Sequence, residues 1–197
     1  MRNAYMTDEL EAIYEQTVDF VAKEVTPHGD AWEDAGKVPR EVLQQMGELG
    51  MFGLRVPEEH GGLGLGMLAS EQLAEWVPKM LAGEAIFSIG VSEPDAGSDV
   101  AGIRTTAVKD GDGWRINGRK MYITNAVYGD LTIVAARTDL ENKYGITMFL
   151  VPAGTEGFSV ANKLDKHGWR CSDTAELILD DVWVSDEQVL GTVHRGF

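Results

Sequence analysis

The sequence is poor in cysteine and histidine, and these shortages exclude several kinds of site. Cys171 is the only cysteine in 197 residues, so an internal disulfide framework and a cysteine-based zinc site are both excluded. The four histidines have no ligand spacing such as HExxH, and we therefore predict no metal site. A single thiol suits a reducing compartment, which favours a cytoplasmic location.

Long apolar runs are also lacking. No stretch approaches the roughly 20 apolar residues that cross a bilayer, so we expect no membrane span. The first residues, MRNAYMTDELEA, become acidic almost at once and contain no apolar core, so we expect no signal peptide.

Basic residues are few for the acidic content. The chain has 17 Lys and Arg against 32 Asp and Glu, which gives a net charge of −15. A chain this acidic repels a phosphate backbone, so we predict that it does not bind nucleic acid. An anionic small molecule can still bind where backbone N–H groups or a few basic side chains receive it.

The pattern before residue 85 is helical. A first helix runs from an N-cap at Asp8 to a stop at Pro27, and a second has Pro39 at its first position and ends at Gly50. Residues 56–66 form a glycine-rich loop, which no Lys-Ser/Thr follows to make a phosphate-binding loop. A third helical stretch covers residues 69–81, where Pro78 disturbs it. The apolar positions at helical spacing are Leu10, Ile13, Tyr14, Thr17, Val21 and Val25 in the first helix, and Val42, Leu43, Met46 and Leu49 in the second.

After residue 85 the pattern changes to short strands. The sequence Asp110-Gly111-Asp112-Gly113 is a strong hairpin signal between two of them. Further turns contain Gly, Pro and charged residues, and this spacing predicts a closed or nearly closed antiparallel sheet. We therefore predict an α+β chain, with a helical domain in residues 1–84 and a small antiparallel β-barrel in residues 85–197. The predicted strands are residues 85–91, 105–108, 114–116, 131–136, 146–151 and 177–183.

Two segments carry residues suited to a bound cofactor. The first, residues 91–99, leaves a strand with two hydroxyls, a proline-fixed turn and a glycine that backbone can use to approach a ligand. The second, residues 120–125, places Tyr122 two residues before Thr124, so in an extended strand both side chains point the same way. Taken singly, each segment is also explained without a ligand. The first fits an ordinary strand-to-turn connection, and the second fits a strand with a buried tyrosine.

Together these segments closely resemble the acyl-CoA dehydrogenase family, and the resemblance covers nearly the whole chain. The matching motifs are SEPDAGSD at residues 92–99, WRIN at 114–117, GRKMYITN at 118–125, RCSDT at 170–174 and PEEHGGLG at 57–64. The resemblance implies an N-terminal helical domain, a middle β-barrel and a C-terminal four-helix bundle. It also implies an FAD-dependent reaction that forms a double bond between the α and β carbons of an acyl-CoA, with hydride transfer to flavin N5.

The resemblance further implies a set of site residues. Tyr122 resembles the aromatic residue that stacks on the flavin, and Thr124 the hydroxyl near flavin N5. Ser98 would reach the phosphates of FAD or the CoA arm of the substrate, and Gly97 would let the chain pass the cofactor. The residues implied in cofactor binding are Ile89, Val91, Ser92, Gly97, Ser98, Tyr122, Ile123 and Thr124.

The chain departs from the family pattern in two places. It stops at Phe197, where the C-terminal bundle would begin, and that bundle normally carries the catalytic glutamate. The helical domain is also short, with a loss expected between about residues 66 and 76. We therefore expect the isolated chain to be inactive, with no catalytic base assigned within it.

Other functions stay open from the sequence alone. Acyl-CoA oxidases and some flavin monooxygenases use related barrels with oxygen as the acceptor, and the chain could also be a non-catalytic flavin-binding fragment. For a dehydrogenase, the expected partners are an acyl-CoA substrate and an electron-transfer flavoprotein or similar acceptor. The complete protein is expected to form a homo-oligomer.

Overall fold

The computed structural model describes residues 8–53, 56 and 75–196. Within these ranges, none of the helices has the length and apolar character that crossing a membrane requires. The helices are α1 (Asp8–Phe20), which continues as a π-helical turn (Val21–Val25), α2 (Gly29–Ala35), α3 (Arg40–Glu48) and α4 (Val77–Leu81). The strands are β1 (Phe87–Gly90), β2 (Thr106–Asp110), β3 (Gly113–Thr124), β4 (Leu131–Arg137), β5 (Ile146–Pro152), β6 (Phe158–Lys163), β7 (Thr174–Ser185) and β8 (Val189–Leu190).

The helical elements follow the predicted order but differ in detail. Pro39 lies one residue before α3 instead of inside it, where its extended backbone leads the chain into the helix. Pro78 lies in the first turn of α4, so it helps to start that helix and does not disturb it. The sequence did not predict α2, a seven-residue helix that ends at Gly36 with a φ of 67°. The glycine-rich residues 57–66 and the start of the third predicted helix lie outside the described residues.

The strands form one sheet in which antiparallel pairing dominates. Its order is β6-β7-β3-β2-β4-β5-β8, and β1 pairs with β4 in parallel. The hairpin between β2 and β3 turns at Gly111, which has a φ of 61°, as the Asp-Gly repeat predicted. The α+β fold class is therefore confirmed, while β6 and β8 are strands that the sequence did not predict.

The main core lies inside the curled sheet. Trp114 of β3 packs against Phe149 of β5 with ring centroids 5.7 Å apart, although β2 and β4 separate these strands in the sheet order. Strands far apart in the order therefore share one core, as expected for a sheet that wraps around it. The buried members of this core are Ala107, Trp114, Ile116, Val134, Ala136, Phe149, Val151, Leu179, Val182, Val184 and Val189.

The helices dock on the sheet through an arginine clasp and close backbone contacts. Arg40 of α3 donates hydrogen bonds to both carboxylate oxygens of Asp130 at 3.0 Å and to the carbonyl oxygen of Tyr128 at 2.9 Å. A Cβ atom at Gly83 would collide with the backbone of Leu43, so α3 and the residues after α4 touch along their main chains. α4 ends at Leu81 and β1 begins at Phe87, and a domain boundary at residue 85 stays a prediction.

Candidate cofactor site

The two segments that the sequence singled out lie side by side. We call residues 91–98, which follow β1, the 91–98 loop. The amide of Met121 in β3 donates a hydrogen bond of 2.8 Å to the carbonyl oxygen of Ser92 in this loop. The ammonium group of Lys120 donates one of 3.2 Å to the carbonyl oxygen of Val91. The loop therefore continues the edge that β3 presents, and the fold joins the two segments into one surface.

Glu93 anchors the 91–98 loop from inside the protein. Only 7% of this residue is exposed. Its carboxylate accepts hydrogen bonds from the amides of Arg104 at 2.6 Å and Thr105 at 3.0 Å, and from the ammonium group of Lys120 at 2.7 Å. Ala96 pairs with Glu93 through two backbone hydrogen bonds and packs into a small buried cluster. The loop is therefore held by both a charge pair and an apolar anchor.

The ionisation of Glu93 and Lys120 follows from their burial and their mutual contact. Burial alone would raise the pKa of Glu93, but the hydrogen bonds from Lys120, Thr105 and the Arg104 amide bring the pKa of this carboxyl below its usual value. Burial lowers the pKa of Lys120, and the contact with Glu93 opposes that effect. Glu93 is thus a carboxylate at neutral pH, and its oxygens are committed to partners in the chain.

A bulge in β3 aims Tyr122 outward. The pairing of β3 with β7 shifts register between Lys120 and Ile123, and Tyr122 within the bulge has a φ of 61°. Tyr122 is 63% exposed, Thr124 is exposed, and Ile123 between them is only 2% exposed. The two candidate side chains are therefore both exposed, although the backbone at Tyr122 is not extended as the sequence analysis assumed. The structure does not support the alternative of a buried tyrosine.

Ile123 differs from the other candidate residues. Its side chain lies in a buried cluster with Ala126, Ala175 and Leu177. It therefore turns away from the surface that carries Tyr122 and Thr124, and only its backbone faces that side. Ile89 of β1, by contrast, is 60% exposed between the buried residues Ser88 and Gly90.

Gly97 and Ser98 lie exposed at the far end of the 91–98 loop. A Cβ atom built on Gly97 would meet no other atom within 4 Å, and Gly97 is not among the glycines with positive φ. Neither crowding nor backbone conformation in the described residues therefore requires a glycine here. A ligand that approaches the backbone closely is a physical reason that remains.

The donors on this surface fit a flavin with its pyrophosphate. Within the described ranges, the backbone amides of Val91, Ser92, Gly97 and Ser98 donate no hydrogen bond to the protein. Amides of this kind suit the polar edge of a planar ring and a phosphate oxygen. Exposed Ile89 and Tyr122 supply apolar surface for the plane of such a ring.

A cavity lies between the helices and the sheet. It encloses about 430 Å³, and Asn125, the residue after β3, lies in its wall. Cys171 also lines it, and the thiol donates a hydrogen bond of 2.9 Å to Glu33 of α2. This bond and one from the Arg170 amide lower the pKa of Glu33, while burial and the Glu33 contact raise the pKa of the Cys171 thiol.

Sequence reasoning missed both the buried charge pair and this cavity. Glu93 and Lys120 were read only as motif letters, because nothing local shows that residues 27 positions apart meet inside the protein. One signal was present in the sequence: Lys120 begins the candidate segment at residues 120–125. A lysine that is buried in such a segment needs a neighbour of opposite charge. The cavity depends on how helices dock, which strand and helix periodicity does not reveal.

Two sequence profiles of one family match the chain. Residues 7–92 match the profile described as acyl-CoA dehydrogenase, N-terminal domain. Residues 88–182 match the profile described as acyl-CoA dehydrogenase, middle domain. The two matches together include both segments of the candidate site.

Known proteins show the same likeness. The mitochondrial long-chain specific acyl-CoA dehydrogenase of Mus musculus is 35% identical over 228 residues, which is 97% of this chain and 53% of the mouse protein. The chain therefore spans about half the length of that relative. A solved structure of a probable acyl-CoA dehydrogenase from Mycobacterium abscessus superposes with a TM-score of 0.90 at 35% identity, covering 98% of this chain and 61% of that one. A glutaryl-CoA dehydrogenase from Mycobacterium smegmatis in complex with FADH2 superposes with a TM-score of 0.81 at 32% identity, covering 93% of this chain and 55% of that one.

Proposed function

Because this chain belongs to the acyl-CoA dehydrogenase family, we propose that it binds FAD and serves the α,β-dehydrogenation of an acyl-CoA thioester. When bound, FAD would supply at N5 the hydride acceptor that protein side chains do not provide. The proposed contribution of the 91–98 loop and the β3 bulge is to bind and orient the flavin.

One observation carries the proposal: the 91–98 loop and the β3 bulge form one surface with uncommitted donors beside an exposed tyrosine. The amide of Ser92 is free to donate within the described chain, and Tyr122 is 63% exposed next to it in the hydrogen-bonded edge. A bound planar ligand would cover both.

Each residue has a proposed role on this surface. Val91 and Ser92 would donate to the polar edge of the ring, and Tyr122 would cover its face. Thr124 would place its hydroxyl near N5, where a donor stabilises the more negative reduced flavin. Gly97 would allow close approach, and Ser98 would bond to a phosphate of FAD or to the CoA arm. Ile89 would pack beside the ring and Ile123 would contribute through its backbone only.

Within the described residues, none of the carboxylates near this surface is assigned as the catalytic base. Glu93 directly follows the proposed contact Ser92, but its oxygens already accept from Lys120 and two amides. A base must accept a proton from the substrate, which an enclosed, fully bonded carboxylate cannot reach. We propose that the 197 residues alone do not complete the reaction.

The proposed partners follow from the reaction. An acyl-CoA is the substrate, and an electron-transfer flavoprotein or a similar acceptor would take the electrons away. A homo-oligomeric state is proposed for the complete protein, and a cytoplasmic location remains a prediction from the single cysteine.

The test is FAD titration of the chain and of two tyrosine variants, with flavin fluorescence as the readout of binding. Tyr122→Ala removes the proposed ring contact, and Tyr144→Ala removes a tyrosine of similar exposure, 59%, in the turn between β4 and β5. Aromatic contacts contribute about 0.5–1.5 kcal/mol beyond area burial. We therefore expect Tyr122→Ala to weaken FAD binding by roughly tenfold, and Tyr144→Ala to leave it unchanged.

A second variant tests the orientation of the ring. Thr124→Val keeps the shape of the side chain but removes its hydroxyl, so the reduction potential of bound flavin should fall. An unchanged potential together with equal FAD affinity in both tyrosine variants would overturn the proposed site. Failure of the wild-type chain to take up FAD would overturn the proposed function itself.

A further inference from the structure

We propose that the buried ion pair of Glu93 and Lys120 is a positioning device that presents the Ser92 amide and the Tyr122 ring to the flavin. This inference rests on the proposed function for its ligand. Its geometry, however, comes from contacts within the chain.

The pair connects three separate parts of the fold. Glu93 belongs to the 91–98 loop, and Lys120 lies in β3 with its side chain fully enclosed. The other two donors to Glu93 are the amides of Arg104 and Thr105, which precede β2. One carboxylate therefore fixes the loop against two neighbouring strands, and it does so at a single register.

Lys120 also orients the peptide unit that contains the Ser92 amide. Its ammonium group donates to the carbonyl oxygen of Val91 from the enclosed side. The described chain has no cis peptide bonds, so the C=O of Val91 and the N–H of Ser92 point in opposite directions. Holding the carbonyl inward therefore turns the Ser92 N–H outward, where it has no acceptor within the described residues.

The same lysine fixes the start of the β3 bulge. The residue after Lys120, Met121, bonds through its amide to Ser92 instead of to β7. The next residue, Tyr122, then takes its φ of 61° and projects outward. Lys120 is thus the last paired residue before the bulge, and its burial sets where the bulge begins.

Stability alone does not account for an ion pair at this position. Replacing a buried ion pair by apolar groups of similar volume is often neutral or stabilising. What such a replacement loses here is the directed hydrogen bond to Val91 and the tie between loop and strand. A neutral pair would therefore preserve the fold while releasing the groups that face the flavin.

This difference defines the experiment. The double variant Glu93→Gln/Lys120→Met removes both charges and keeps one side-chain oxygen, which can accept from the Arg104 amide or from the Thr105 amide. The single variant Lys120→Met leaves Glu93 buried without its cation. The control is Lys23→Met/Asp19→Asn, which removes an exposed ion pair at the end of the first helix. Thermal unfolding, hydrogen exchange of the FAD-free proteins, FAD affinity and flavin reduction potential are measured for each.

We expect the double variant to stay folded but to unfold below the wild-type temperature, because one buried amide loses its acceptor. The hydrogen-bonded amides at position 93, Ala96 and Met121 should exchange at least about tenfold faster than in wild type. The FAD affinity of the double variant should fall by about tenfold or more, with a shifted flavin potential. The control should match wild type in all four measurements, and Lys120→Met should be much less stable than the double variant.

Three outcomes would overturn the inference in distinguishable ways. If wild type binds FAD and the double variant binds equally tightly at the same potential, the pair is structural only and the proposed function stands. If wild type does not bind FAD, the flavin role and the proposed function fall together, and the exchange data still decide whether the pair orders the loop. Faster exchange throughout the double variant would assign the pair to general stability.

Discussion

At the scale of one residue, Gly97 is a glycine that the described fold does not require. The space around its Cβ position is open, and its φ is not in the left-handed region. Gly83 is the opposite case, because a Cβ atom there would overlap the backbone of Leu43. The sequence offers both as glycines, and only the structure separates their reasons.

This contrast gives the first prediction. Gly97→Ala should leave the free energy of unfolding within about 0.5 kcal/mol of wild type, because it is an exposed position with room for a methyl group. The same change should weaken FAD binding, because the methyl group would stand between the backbone and the ligand. Urea unfolding and FAD titration check the two halves. A stable variant with wild-type FAD affinity would contradict the proposed close approach.

Glu93 gives a prediction about pH at the same scale. Its pKa is lowered in the folded chain, so its contribution to stability is fully present above the pKa of an unfolded glutamate, about 4.3. That contribution is lost as the pH falls through the lower pKa of the folded state. Protonation would disrupt hydrogen bonds to a buried charge, at a cost of roughly 1–3 kcal/mol.

The measurement is urea unfolding of wild type and of Glu93→Gln/Lys120→Met between pH 7 and pH 3. Wild type should lose more stability than the double variant below about pH 4.3, because only wild type carries the titrating carboxylate. Parallel curves for the two proteins would show that Glu93 does not contribute in this way.

At the scale of elements, β3 marks the limit of what the sequence could predict. Its hairpin with β2 follows from Asp110-Gly111-Asp112-Gly113, and the segment at residues 120–125 was expected to be extended. The sequence did not predict that both belong to one strand of 12 residues with two register shifts. Bulges depend on what the neighbouring strand and loop demand, so the pattern of β3 alone does not show them.

The missed elements have related causes. β6 is an edge strand whose residues are mostly exposed, so it lacks the alternation that marks a half-buried strand. α2 is short and contains no buried residue, so no apolar stripe announces it. The two candidate segments could be recognised because their motif residues are consecutive, and the structure brings these segments into contact. Their role in cofactor binding stays a prediction.

The elements also differ in how firmly they are held, which gives a third prediction. β3, β4, β5 and β7 surround the main core, whereas α1 keeps Tyr14 and Val18 exposed at 59% and 49%. Amides of these strands should therefore exchange more slowly than those of α1, α2 and α3. Hydrogen exchange with peptide-level resolution checks this, and equal protection across helices and sheet would contradict it.

At the scale of the whole molecule, the comparisons match this chain to two domains of the family. Residues 7–182 match the N-terminal and middle domains, and the alignment with the mouse relative covers 53% of that protein. The alignment with that relative extends over 228 residues, more than this chain contains, so it includes gaps in this chain. The expected internal shortening itself is not tested by this length. Its position near residues 66–76 stays a prediction.

The fourth prediction follows from the proposal that these 197 residues alone do not complete the reaction. The isolated chain loaded with FAD should not be reduced when mixed anaerobically with acyl-CoA thioesters of several lengths. A weakly acidic α proton needs a base within hydrogen-bonding reach, and orientation by the flavin does not replace it. Flavin absorbance near its long-wavelength band is the readout, with chemical reduction by dithionite as the positive control. Rapid bleaching by any acyl-CoA would show that these residues contain a base.

The turn between β3 and β4 connects the arginine clasp of α3 to the proposed flavin site. Arg40 holds Tyr128 and Asp130 in the turn between β3 and β4, and Asn125 in the same turn lines the cavity beneath the helices. Thr124, proposed to lie near flavin N5, directly precedes Asn125. A small molecule that fills the 430 Å³ cavity would contact Asn125, which directly follows the proposed flavin contact Thr124. The absorbance of a flavin bound at the proposed site would then report whether this cavity is occupied.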